Sequence, residues 1–120
     1  MNIEEFREYC LSIKGSTESL PFRADNILAL KVMDKMFAYI TLEPKDGVFR
    51  VNLKCDPEKS MELRERFWGI TETDFKTPSW NLVTLESDVP DDLIKELIQH
   101  SVDEVIKKLS KRKQDEYLNQ

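Results

Sequence analysis

The feature that most constrains this chain is the stretch from Ile27 to Lys54, which reads as three short strands whose two faces differ in chemistry. Side chains alternate strictly along a strand, so each strand sorts its residues between two surfaces, and a slip of one residue exchanges them. A tight turn at Asp34-Lys35 would set Val32 beside Phe37, Leu30 beside Tyr39 and Leu28 beside Thr41. A third strand returning after a Glu43–Gly47 loop would add Phe49, Val51 and Leu53 to that apolar face. The opposite face would then carry Ala29, Lys31, Met33, Met36, Ala38, Ile40, Arg50, Asn52 and Lys54, with cations, an amide and no carboxylate. Such a face reads as a working surface.

The rest of the chain supplies helices. Ile3, Phe6, Tyr9, Cys10 and Ile13 form one stripe at helical spacing, with Asn2 as the cap and Gly15 as a left-handed stop. Ser16 to Asn26 reads as a polar connection in which Leu20-Pro21-Phe22 tucks apolar side chains under the sheet edge. Asp56-Pro57 opens a second helix, because Asp caps well and Pro has no amide hydrogen to leave unpaired at the first helical position. Met61, Leu63, Phe67 and Trp68 are its expected anchors, and Gly69 its end. Residues 70–79 read as a polar connection or a poorly patterned strand, and Trp80 to Leu85 as a β-rich run. The strongest pattern follows Pro90, where Leu93, Ile94, Leu97, Ile98, Ser101, Val102, Val105, Ile106 and Leu109 form an unbroken apolar stripe.

This order predicts an α+β two-layer sandwich, an antiparallel sheet with helices packed on one face and the other at least partly open. A single domain is expected over residues 1–113, with 114–120 as a frayed tail. The N-terminus lacks the basic and apolar regions of a signal peptide, no apolar run reaches membrane-span length, and Cys10 and Cys55 read as reduced thiols. A cytoplasmic protein without membrane attachment is therefore expected.

The net charge of −5 argues against a strong non-specific grip on phosphates, but it is unevenly spread. Residues 31–54 hold five cations and three anions, whereas residues 55–106 hold five and thirteen. Lys31, Arg50, Lys54 and Lys76 are the candidate phosphate contacts, with Asn52 and Trp80 as candidate base contacts. The densest basic cluster, Lys107, Lys108, Lys111, Arg112 and Lys113, could serve as an auxiliary phosphate-contacting tail but better suits the negative end of a helix dipole. With a single histidine, His100, the chain offers no transition-metal ligand set, so no metal and no cofactor is expected. A nucleophile pair of His100 with Cys10 or Cys55 lacks an orienting partner, and a non-enzymatic role is expected, although Cys55 before a helix start could have a lowered pKa.

Several pieces, in order, carry a resemblance: Leu20-Pro21-Phe22, Lys35-Met36-Phe37-Ala38, Val51-Asn52-Leu53-Lys54-Cys55-Asp56-Pro57, Leu63-Arg64, Trp80-Asn81, Val89-Pro90 and His100-Ser101. Together they resemble the MmcQ/YjbR family of small bacterial proteins. The resemblance implies a frataxin/CyaY-like α+β sandwich and the family's usual label of DNA-binding, here through the open basic face. Members commonly have Gly where this chain has Asp34, a basic His-containing run where it has Asp74 to Ser79, and an aromatic where it has Val102. The depleted basic run and the Met33/Met36 pair support the alternative, a module binding a protein or small anionic ligand on the same face.

Overall fold

The computed structural model describes residues 1–20 and 26–120. Among these described residues four helices and six strands follow in the order α1 (Ile3–Ser12), β1 (Ser16–Ser19), β2 (Ile27–Val32), β3 (Lys35–Thr41), β4 (Arg50–Lys54), α2 (Pro57–Arg66), β5 (Ile70–Glu72), β6 (Trp80–Thr84), α3 (Asp91–Lys107) and α4 (Lys111–Leu118). The strands form one antiparallel sheet in the spatial order β1-β2-β3-β4-β6-β5. The expected α+β two-layer sandwich is what forms, with the long α3 against β2, β3 and β4 and α2 against β5 and β6. No helix among the described residues is long and apolar enough to cross a membrane.

Helices α1, α2 and α4 each start on a capping side chain, whereas α3 starts after Pro90 without one. Asn2 and Glu5 form a reciprocal capping box on α1, and Gly15 takes a left-handed φ of 73° just beyond that helix. Asp56 accepts from the Lys59 amide ahead of Pro57 in α2. The apolar stripe of α3 buries Ile94, Leu97, Ile98, Val102 and Val105 against Leu30, Val32, Ala38, Ile40, Val51, Leu53 and Val83. Phe6 and Cys10 of α1 complete this core.

Pairing inside the β2–β3 hairpin departs from the register expected above. The turn lies at Met33-Asp34, both at positive φ (49° and 66°), and pairs Val32 with Lys35 and Lys31 with Met36. A two-residue turn with two left-handed positions matches the right-handed twist of the flanking strands. Continued unbroken, this register would oppose Leu28 to Tyr39 and turn Tyr39 toward the helices. Instead Leu30 pairs with Ala38, leaving Phe37 as the extra residue of a β-bulge. Phe37, Ala38 and Ile40 all reach the core and are fully buried, while Tyr39 and Thr41 pass to the other face. The placement of Tyr39 and Thr41 with the core, and of Ala38 and Ile40 with the open face, is thus corrected; β2 and β4 keep their expected faces.

Other elements also differ from expectation. Ser16–Ser19 is an edge strand, held through the Arg7–Glu18 ion pair to α1, where a polar connection was expected. Leu20 is exposed, and Pro21-Phe22 lies outside the described residues. In α2 only Leu63 is a full anchor, since Met61 and Trp68 are exposed and Phe67 is half-buried. Residues 111–118 are helical rather than frayed: Ser110 caps the helix, and Tyr117 donates its hydroxyl to the Lys14 carbonyl at 2.9 Å. A cap and one docking aromatic hold this helix although its sequence lacks a long apolar stripe.

Asp34 adopts a left-handed conformation that glycine takes freely and that Asp takes at a small cost. Replacing Asp34 with Gly is expected to relieve that strain and raise the melting temperature modestly in circular dichroism, the gain being trimmed by the greater freedom of glycine in the unfolded chain. A lower melting temperature would show that the Asp34 side chain contributes more than its backbone strain costs.

Candidate functional site

Pairing across the sheet sets Ala29, Tyr39, Asn52 and Leu82 in one row on the face turned away from the helices. Arg50 and Lys54 lie two residues either side of Asn52 on the same strand, hence on the same face. The row is not bare: Ala29 is fully buried, and Asn52 is 5% exposed. The β5–β6 connection crosses over it, placing the Phe75 ring edge-on to Tyr39 at 6.2 Å. Tyr39 also meets Trp80, with ring centroids 5.5 Å apart.

The result is a cleft of about 570 Å³. Its floor is Tyr39, Thr41, Asn52 and Leu82, with Asp74 and Phe75 on one side and the β3–β4 connection on the other. That connection folds back at Asp46-Gly47, both at positive φ, with Lys45 and Val48 bonded amide to carbonyl in both directions at 3.0 Å. Arg50 donates to the Lys45 carbonyl at 3.3 Å, which steadies the guanidinium at the cleft wall. Two cations, Lys45 and Arg50, and three carboxylates, Glu43, Asp46 and Asp74, line the cavity. Burial, reinforced by Asp74, pushes the Tyr39 phenol up to about 12. It therefore remains a neutral hydrogen-bond donor at any physiological pH.

The six residues selected from sequence do not form one strip. Arg50 and Asn52 line the cleft. Trp80 is outside it, joined through Tyr39, and the Lys54 ammonium lies 5.5 Å from the Trp80 ring centroid. Burial, then the neighbouring Lys108, holds Lys54 below the usual lysine range. Lys54, Lys35 and Lys108 surround a separate depression of about 250 Å³ floored by Met36, Val105 and Leu109. Lys31 sits on β2 between Thr17 and Met36, away from the cleft, and Lys76 is an exposed loop residue at φ 52°. Tyr39, Thr41, Asp74, Phe75 and Leu82 are the cleft residues that sequence reasoning missed. Tyr39 and Thr41 were hidden by the bulge, and no local pattern marks a loop residue as lying over a sheet.

The remaining motifs hold the scaffold. The His100 Nε2 accepts the Asp56 amide at 3.1 Å, so its imidazole must be neutral on that nitrogen. Ser101 donates to the Lys54 carbonyl at 2.6 Å, with the Leu97 carbonyl as its alternative acceptor at 2.8 Å. Arg64 joins α2 to β6 by donating to Asn81 Oδ1 at 2.7 Å and to the Thr77 and Trp80 carbonyls at 3.1 Å. Cys55 is buried, and burial raises its thiol rather than the helix start lowering it. Among the described residues no three His, Cys, Asp or Glu side chains are grouped to hold a metal ion.

A six-stranded antiparallel sheet, covered by helices on one side and cleft on the other, defines the class of this protein. The family model YjbR matches residues 11–103, and the chain belongs to the YjbR family. It is similar to the Deinococcus radiodurans protein DR2400, whose domain is DUF419, with 32% identity, a TM-score of 0.84, and 97% of this chain and 87% of that one covered. A Pseudomonas syringae protein shares the fold at 21% identity and a TM-score of 0.71, over 84% of this chain and 96% of its own. The same target in solution gives 23% identity and a TM-score of 0.71, over 86% and 91%. No curated protein matches the chain.

Burial, followed by Lys59, depresses the His100 pKa below its ordinary value, so folding favours the neutral imidazole. Its contribution to stability is full above pH 6.5 and is lost as pH falls through the folded-state pKa. Urea unfolding midpoints should therefore fall between pH 7.5 and pH 5 more steeply than in His100→Gln. Parallel curves for the two proteins would remove His100 from that dependence.

Proposed function

We propose that this protein is a non-enzymatic binding module whose ligand is a small polar molecule with a planar ring, seated in the open-face cleft. The observation that carries this reading is a concave cavity of about 570 Å³ with an aromatic wall, an apolar floor residue and a few convergent polar groups. Small-molecule sites typically occupy about 300–1,000 Å³ and combine those same features. Arg50 would meet an acidic group on the ligand, while Phe75 and Tyr39 would flank its ring. The non-enzymatic part is supported by the other candidates' commitments: His100 accepts a backbone amide, and Cys55 is buried with a raised pKa. Work in the cytoplasm is supported by two buried free thiols, Cys10 and Cys55.

A second reading, binding of single-stranded DNA, is favoured by one observation. Tyr39, Phe75 and Trp80 make a contiguous aromatic run with Lys54 over one end, and aromatic rings with flanking cations stack on successive bases. The carboxylates on the cleft oppose a polyanion more than they oppose a ligand with a single acidic group.

Amide chemical shifts should decide between the two. A screen of ring-bearing carboxylic acids and phosphate esters is expected to move Tyr39, Arg50, Asn52 and Phe75 selectively. Fluorescence anisotropy with single- and double-stranded DNA should show binding only at low salt, lost near 0.15 M. Shifts confined to the helices would overturn the cleft. DNA binding that survives 0.15 M salt and falls in Arg50→Glu/Lys54→Glu would establish the second reading instead.

A further inference from the structure

The cleft floor holds a deeply buried carboxamide that the fold itself does not use. Asn52 is 5% exposed, lines the cavity, and its carboxamide has no hydrogen-bond partner among the described residues. Its amide atoms face the cleft rather than being sealed inside the fold, and a ligand that displaces water from them must replace those hydrogen bonds. Among neighbouring polar residues, Asn81 is bonded through Oδ1 to Arg64 with its Nδ2 sealed away from solvent and the cleft, and Ser101 and His100 both have backbone partners. Leucine at position 52 would fit the sheet equally well as far as alternation is concerned, since Asn52 sits between Leu82 and Tyr39.

We infer that Asn52 reads the edge of a nucleobase-type heterocycle, a planar ring with a hydrogen-bond donor and an acceptor side by side. This rests on the ligand-cleft reading above and names the class of its ligand. A carboxamide presents one acceptor oxygen and one donor NH₂ in a plane, and it pairs bidentately with a ring edge carrying the complementary pair. The ring would lie against Tyr39 and Phe75, whose faces and edges suit an aromatic partner. Arg50 follows two residues away on the same strand, roughly 7 Å along it. It stands where an acidic group joined to the ring through a short spacer would reach. The phenol of Tyr39, kept neutral, adds a donor beside the same edge.

The test is a set of amide-shift titrations of the intact protein with the four nucleoside 5′-monophosphates and with phenyl phosphate, which has the ring and the acid but no donor–acceptor edge. At least one nucleotide should move Tyr39, Asn52 and Phe75 and bind at least tenfold more tightly than phenyl phosphate. Asn52→Leu should abolish that difference. If the variant fails to fold, the wild type is titrated with the same nucleotide methylated on its ring-edge donor, and at least a tenfold loss is expected. Equal affinity for nucleotide and phenyl phosphate, or an indifferent Asn52→Leu, would overturn the inference. If other ring-bearing acids move the cleft amides and no nucleotide does, this inference falls and the cleft reading stands. If none of them does, both fall.

Discussion

The bulge at Phe37 is the constraint on which the rest of this sheet depends. Chain direction reverses at Met33-Asp34 after a turn whose length alone would send Tyr39 toward the helices and Ala38 away from them. One unpaired residue returns the pleat to the opposite phase. Phe37 itself is then free to enter the core, and its full burial contributes on the order of 1.5–3 kcal/mol toward holding the irregularity in place. Ile40 meets Val51, and Ala38 meets Leu53, so the core continues unbroken from β3 into β4. The same phase puts Tyr39 beside Asn52 on the outer face. A core requirement and a site requirement are met by one inserted residue.

Covering only one face of the sheet is a consequence of how the helices are fastened. The side chains that dock α2 and α3 are polar and directional at the edges of an apolar stripe. Arg64 fixes α2 to the strand start at Trp80, His100 accepts from the first residue of the α2 cap, and Ser101 bonds to the end of β4. Hydrogen bonds to a charged donor such as Arg64 are stronger than neutral ones and tolerate less displacement. These three contacts converge where β4 ends and α2 begins, so the strand that carries Arg50, Asn52 and Lys54 is anchored at its C-terminal end. Asn52 is thereby held on a rigid element rather than on a loop.

Much of this architecture was legible in the sequence because period and capping are local. The α3 stripe, the Asp56-Pro57 helix start and the alternation in β2 and β4 need no knowledge of distant partners. Register between strands is different. Asp34 hid the turn, because the pattern for a two-residue hairpin favours Gly or Asn where this chain has Met33 and Asp34. Either turn, continued without a break, sends Tyr39 to the core, and it is the bulge at Phe37, which no local pattern marks, that moves it to the outer face. Arg50 and Asn52 could be selected because they sit on a strand with clean alternation. Phe75 and Asp74 could not, because their position over Tyr39 is set by where a loop folds and by nothing periodic. The fourth helix was missed for a related reason: Tyr117 holds it to Lys14, a partner 103 residues away.

Charge divides the outer surface into two regions with opposite demands. The cleft mixes Arg50 and Lys45 with three carboxylates, so its potential changes sign over the length of a small molecule. The depression by Lys54 has Lys35 and Lys108 around it and no carboxylate in its lining. A long polyanion following β4 from Lys54 to Arg50 would start in the favourable region and end among Glu43, Asp46 and Asp74. Salt at about 0.15 M screens exposed charges beyond roughly 8 Å, but carboxylates lining the cleft lie within that distance of anything that enters it. Their repulsion is therefore local and persists at physiological ionic strength. Selection by the cleft must then come from shape and hydrogen bonding around Asn52 and Tyr39, with Arg50 contributing one favourable charge.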